Sequence, residues 1–253
     1  MSFSLIKYVL TAALRDKLII SLLITMAVAS SLSVFMGSAA IVEKDQFSLI
    51  FAGGGVRLAG VFGLILFVVF FIRRSFEARD IDFLLSRPVG RVEFLISYSA
   101  AFSILAIATG LVQLLCLYIL GPHLFGEGTI LWGFSLIIEN IIMVNVALFF
   151  GMYFSSAASA SMAVLALYVL GRMMGQILGI LQTGGKASIF EGLEMAMNMV
   201  STVTPRLDLM GQTSWLLYGT EGDVGYLFLI LQGVLFCSLL LGASLIDLVK
   251  KQF

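Results

Sequence analysis

Residues 94–120 read FLISYSAAFSILAIATGLVQLLCLYIL, with no charged side chain from Phe94 to Leu120. A helix needs roughly 20 apolar residues to cross the hydrocarbon of a bilayer. This stretch is long enough, and it decides the class of the protein. Further stretches meet the same criterion at Leu18–Ala40, Val56–Ile72, Ile130–Phe154, Ser161–Leu181 and Val224–Leu248, for six in all. The second span, Val56–Ile72, is the shortest. A start near Phe47 would put Arg57 inside the membrane; the later start lets Arg57 snorkel to the surface and is the one expected. Composition agrees: of 253 residues, 60% are hydrophobic and 12% charged, with a mean hydropathy of +1.08. A soluble domain needs far more polar surface than that. Lipid is therefore the solvent for most of the chain, and the fold class expected is an all-α integral membrane protein forming one transmembrane domain over residues 1–253.

Basic residues near the span ends set the orientation. Lys7, Arg15, Lys17, Arg73, Arg74, Arg79, Arg87, Arg91, Lys250 and Lys251 collect on one side; only Lys44, Arg57, Lys186 and Arg206 collect on the other. The first side is expected to be cytoplasmic, with both termini on it, as an even number of spans requires. The expected location is the inner (plasma) membrane of a bacterial cell, multi-pass. No cleavable signal sequence is expected, because the first apolar run follows Lys7, Arg15 and Lys17 and is itself long enough to span. The formal net charge is zero, which gives nothing to draw nucleic acid. Ahead of the first span, Lys7, Thr11 and Arg15 recur at i, i+4, i+8, while Ile6, Val9, Leu10 and Ala13 fall away from that stripe. This pattern predicts an amphipathic helix lying in the interface; a plain cytoplasmic extension of the first span has the same periodicity. On the outer side, Gln182–Asp223 is acidic, moderately apolar and contains Pro205. Short helices that dip back toward the membrane, a re-entrant segment, are expected there.

The longest inner connection begins RRSFEARDIDFLLSRPVGRVEFLIS at Arg73. Ile81, Leu84 and Leu85 stand at i, i+3, i+4 and share one helix face. Glu77, Asp80, Arg87 and Arg91 surround them, and Pro88 interrupts the helix. An apolar patch ringed by both signs of charge suits a small docking surface. A solvated hairpin joining two spans has the same sequence pattern, and both remain open on physical grounds.

Leu84-Leu85-Ser86-Arg87-Pro88-Val89-Gly90-Arg91, following a long second span, resembles the permeases of the type-two ATP-binding-cassette exporters, which carry a Leu-Leu-x-x-Pro-(Val/Ile)-(Ser/Gly)-Arg stretch there. The resemblance covers the whole chain in outline and is closest to small stand-alone permeases, including those serving copper-enzyme maturation. Ser97-Tyr98 departs from relatives that have a lysine shortly after the motif. The resemblance implies a coupling helix formed by Glu77, Asp80, Ile81, Leu84, Leu85, Arg87, Pro88 and Arg91, seated in a groove of a separate ATPase. It further implies a second permease chain, identical or related, and two ATPase copies. ATP and Mg belong to those partners and no cofactor to this chain, which is then a non-catalytic subunit. A channel or a membrane scaffold subunit is the alternative.

Gly171, Gly175 and Gly179 recur every four residues along the fifth span. Such a stripe lets another backbone approach closely, either within the chain or at a dimer or conduit face. Glu139 and Arg172 lie within consecutive antiparallel spans, both in the outer half, and an ion pair between them is expected because charges at membrane depth are costly unless paired. Met195 and Met199 offer soft thioethers that suit Cu(I), though methionine is a common filler of apolar surfaces and no metal site is expected. Thr183-Gly184-Gly185-Lys186-Ala187 is no phosphate loop: Ile180 and Ala187 stand where that motif needs Gly and Ser or Thr, and no strand precedes it. One histidine, His123, excludes a zinc HExxH site and leaves no base for a buried serine. Cys116 and Cys237 lie inside apolar runs, as buried thiols do.

Overall fold

A computed structural model describes residues 2–39, 44–78, 90–122, 125–183, 188–219 and 224–250; for 182–183, 188–191, 193–194 and 202–203 it describes the backbone alone. Every regular element among the described residues is helical. In chain order these are α1 (Phe3–Arg15), α2 (Lys17–Ser38), α3 (Lys44–Glu77), α4 (Arg91–Leu120), α5 (Glu127–Tyr153), α6 (Ala157–Thr183), α7 (Ser188–Val203), a 3-10 turn (Leu207–Leu209), α8 (Trp215–Tyr218) and α9 (Tyr226–Lys250). Six of them, α2, α3, α4, α5, α6 and α9, are long and apolar enough to cross a membrane. The chain is a multi-pass membrane protein by that measure.

The second span starts earlier than the sequence suggested. Helix α3 is one uninterrupted helix of 34 residues, and Arg57 lies inside it with only 3% of its surface exposed. Arg57 does not snorkel, because a carboxylate and backbone carbonyls meet its charge inside the bundle, as set out below. A helix of that length runs about 51 Å, more than the hydrocarbon of a bilayer alone requires.

Helix α1 is separate from α2. The backbone of Asp16 is extended (φ −79°, ψ 132°), and its carboxylate accepts from the Leu18 amide at 2.9 Å, capping the N-terminus of α2. An aspartate in this position satisfies one of the amides that a helix start leaves without a partner. Leu5, Ile6, Val9 and Ala13 form the buried face of α1, which packs against α4. Lys7, Thr11 and Arg15 are exposed.

Helix α5 is the centre of the bundle and touches α3, α4, α6, α8 and α9. Its two ends differ in chemistry. Toward the Arg73 end of α3 the core is aromatic: Phe67, Phe71, Phe94, Tyr98 and Phe102 pack ring to ring, with Phe94 and Tyr98 4.3 Å apart. Toward the other end it is polar. Gln113 of α4 donates to the Val56 carbonyl at 3.1 Å and accepts from the Asn140 amide at 2.9 Å. Gly60 makes this possible, since a Cβ there would collide with the Gln113 amide nitrogen. In lipid the hydrophobic effect does not drive helices together, so close packing at small residues and interhelical hydrogen bonds of this kind specify the bundle.

Candidate functional site

At the Arg73 end of the bundle, arginines tie helix termini together. Arg73 donates to the Phe154 carbonyl at the end of α5 (2.9 Å) and lies 5.7 Å from the centre of the Phe76 ring. Arg91, at the start of α4, donates to the Leu248 and Val249 carbonyls of α9, both at 3.0 Å. The last carbonyls of a helix lack intrahelical partners and carry partial negative charge, so cations are favourable there. Glu77 is exposed at the last residue of α3. Of the residues assigned to the coupling helix, Glu77 and Arg91 are the two described; Asp80, Ile81, Leu84, Leu85, Arg87 and Pro88 lie outside the described residues.

The half of the bundle away from Arg73 holds a buried charge cluster. Arg57 of α3 forms an ion pair with Glu139 of α5, whose side chain is fully buried. Two bonds join them, one from Arg57 Nε at 3.3 Å and a shorter one from Nη2. The same guanidinium donates to the Gly211 carbonyl at 2.5 Å and to the Met210 carbonyl at 3.2 Å. Arg172 of α6 donates from Nη1 to the Leu207 carbonyl and, at 2.7 Å, to the Met210 carbonyl. The Gly211 amide donates to Ser135 Oγ of α5 at 2.8 Å. The buried Tyr168 hydroxyl faces Glu139. Arg206 and Asp208 pair with each other at 2.8 Å.

The Glu139–Arg172 pair read from the sequence is therefore replaced by Glu139–Arg57. Helix α6 begins at Ala157 and not at 161, which by helical rise puts Arg172 level with Glu139. From there it turns to carbonyls of the outer segment. Those carbonyls explain the arrangement. Residues 204–214 run without α-helix against α3, α5 and α6, and their backbone has no sheet or α-helix to satisfy it. Buried irregular backbone needs other protein groups to satisfy it, and two guanidiniums do so here. Gly211 is required twice over: its φ is +51°, and a Cβ would stand 3.0 Å from Arg57 Cζ.

The glycine stripe divides. A Cβ at Gly171 would meet the Pro205 carbonyl at 2.9 Å, and one at Gly175 would meet Asp208 Oδ2 at 2.5 Å. Both glycines admit the outer segment. A Cβ at Gly179 would have nothing within 4 Å. Met195 and Met199 are exposed a turn apart on α7. Sequence reasoning missed Arg57, Ser135 and Tyr168 as members of the cluster. The available signal was Ser135 four residues before Glu139 and Arg57 in the apolar run that begins at Phe47, all within one bilayer leaflet's reach of each other.

Beside the cluster a groove of about 310 Å³ runs between α3 and α6, lined by Gly54, Arg57, Leu58, Tyr168, Val169, Arg172, Met173 and Thr213. Leu58, Val169 and Met173 each expose close to half their surface on it. Among the described residues, the cluster carries three cations (Arg57, Arg172, Arg206) against two carboxylates (Glu139, Asp208). No protein-family model matches the chain, and no curated protein matches it in sequence.

Proposed function

We propose that this chain is the membrane permease subunit of an ATP-binding-cassette exporter, working as a dimer of permeases with two copies of a separate ATPase in the inner membrane, both termini cytoplasmic. The observation that carries this is α3. It is a single unbroken helix from the inner connection at Glu77 to the outer region at Lys44. Arg57, about 30 Å along it from Glu77 by helical rise, grips the outer segment through Gly211 and Met210. A push on the inner connection would reach the outer segment without an intervening joint. The resemblance at Leu84–Arg91 supplies the part that receives the push: a coupling helix seated in the ATPase. The exposed groove between α3 and α6 lies on the two helices that border the central path in the resembled family, and a second copy of the chain would complete its wall. Transport is then a switch between inward-open and outward-open packings driven by nucleotide-dependent closure of the ATPases. The outer segment, held by two arginines and fitted to Gly171 and Gly175, forms the outer gate as a re-entrant element.

Affinity purification of the chain from its own membranes tests this. A Walker-type ATPase is expected to accompany it in equal amount, and the combined charge reversal Glu77→Arg with Arg87→Glu is expected to release it or to abolish ATP hydrolysis. Recovery of the chain with no ATPase, or an association indifferent to that reversal, would overturn the proposal.

A further inference from the structure

Where α1 gives way to α2, a cavity of about 630 Å³ opens at the inner end of the bundle. Its size is that of a small-molecule or headgroup site, which typically occupies roughly 300–1,000 Å³. It is bounded by the end of α1, the Asp16 joint, the start of α2 and the last turns of α3. Arg15, Lys17 and Arg74 contribute three cations to its wall, and Asp16 contributes one carboxylate. Asp16 is already engaged: one oxygen caps α2 at Leu18, and the other holds Arg74 at 3.3 Å. That contact places Arg74, whose side chain is 65% exposed, over the mouth of the cavity. Among the described residues, Arg15 and Lys17 have no ion-pair partner. The cavity is thus two positive charges in excess.

Its floor is apolar. Leu18, Phe70 and Phe71 line it. Phe70 is 42% exposed and ends a stripe on α3 that runs through Phe62 and Leu66 at four-residue steps, each of them exposed. Ile20 and Leu23 continue the exposed apolar surface on α2. The cavity therefore opens sideways onto the surfaces of two membrane-spanning helices as well as upward to the basic rim. A soluble anion would match the cations and leave the aromatic floor against water. A neutral lipid would match the floor and leave the excess charge uncompensated. Basic pockets between spanning helices on the cytoplasmic side suit anionic headgroups.

We infer that this cavity binds one anionic phospholipid of the inner leaflet, with the phosphate among Arg15, Lys17 and Arg74 and the first part of an acyl chain on Leu18 and Phe70. Tyr8 of α1 also lines the cavity. The lipid sits astride the joint between α1 and α2 and against the end of α3, so it fixes those three helices relative to one another. The inference does not depend on the transporter proposal.

Native mass spectrometry of the full-length purified chain tests it, with dioleoylphosphatidylglycerol and dioleoylphosphatidylcholine supplied in equal amounts. One phosphatidylglycerol is expected to be retained in preference to phosphatidylcholine. Arg15→Gln with Arg74→Gln is expected to lower that retention roughly tenfold or more, since each basic residue at an anionic surface contributes about one order of magnitude or slightly less. Lys17→Gln alone lowers it less and guards against a misfolded double variant. Lys7→Gln with Lys250→Gln removes the same charge from the same rim outside the cavity and should leave retention unchanged. Equal retention of the two lipids, or an equal loss in the rim and cavity variants, would overturn the inference. So would displacement of the lipid by millimolar inorganic phosphate, which would make the cavity a soluble-anion site.

Discussion

Arg57 and Arg172 stand at the same depth, yet only one of them reaches Glu139. Counted from the contact between Arg73 and Phe154, Arg57 is about 24 Å along α3, and Glu139 about 22 Å along α5. Arg172, counted from the start of α6 at Ala157, is also about 22 Å along. These equal depths follow from where the structure starts α3 and α6; the shorter second span expected from the sequence left Arg57 at the surface. The choice of partner depends on the rotation of each helix about its axis, which spacing does not provide. It also depends on the Leu207 and Met210 carbonyls, which draw Arg172 away. Breaking a buried ion pair by removing one partner is costly, typically about 3–5 kcal/mol. Glu139→Gln should therefore lower the thermal midpoint of the purified protein sharply. Combining it with Arg57→Gln should recover much of the loss, whereas combining it with Arg172→Gln should not. A double-mutant cycle by thermal melting in detergent measures both couplings; larger coupling of Glu139 to Arg172 than to Arg57 would contradict the pairing described.

At the scale of elements, α6 shows how one sequence pattern divides between two environments. Gly171, Gly175 and Gly179 have identical spacing, but residues 205–208 dock against the first two, while a Cβ at the third would meet nothing within 4 Å. Gly175→Leu should force Asp208 aside, loosen residues 205–214 and raise their accessibility to a membrane-impermeant thiol reagent at an introduced Met210→Cys. Gly179→Leu should leave that accessibility and the melting midpoint unchanged in the isolated chain. A loss of dimer on Gly179→Leu, measured by light scattering, would mark its face as a contact between copies. The stripe was legible as a packing surface, and its partner was not, because that partner comes from a non-helical segment with no periodicity to read. The joint at Asp16 shows the reverse. An amphipathic stripe ending at Arg15 is a local signal that fits a separate helix and a plain extension of the first span alike, and the Asp16 cap decides for a separate α1. Asp16→Ala removes the cap, worth about 1 kcal/mol at a helix start, and should merge α1 and α2 or fray their junction. Spin-label distances between positions 7 and 24 would lengthen if the two helices merged.

For the whole molecule, the expected topology puts both termini on the basic side. A Lys250→Cys variant should be labelled only from the cytoplasmic face of oriented vesicles, and a cysteine in place of Tyr218, which ends α8 and is 73% exposed, only from the outer face. Labelling of both from one side would require a different number of crossings. The molecule is also graded along its axis, aromatic near one end and ionic near the other. The six apolar runs, the basic asymmetry and the α1 stripe were determined by the sequence alone. Each is a property of consecutive residues, namely length against bilayer thickness, charge near a helix end and period along one axis. The start of α3, the pairing of Arg57 with Glu139 and the division of the glycine stripe were decided only by the tertiary structure. Each depends on groups distant in the chain, and above all on the backbone carbonyls of residues 207–211, which have no signature in side-chain pattern and become strong partners only once the bundle removes water from them.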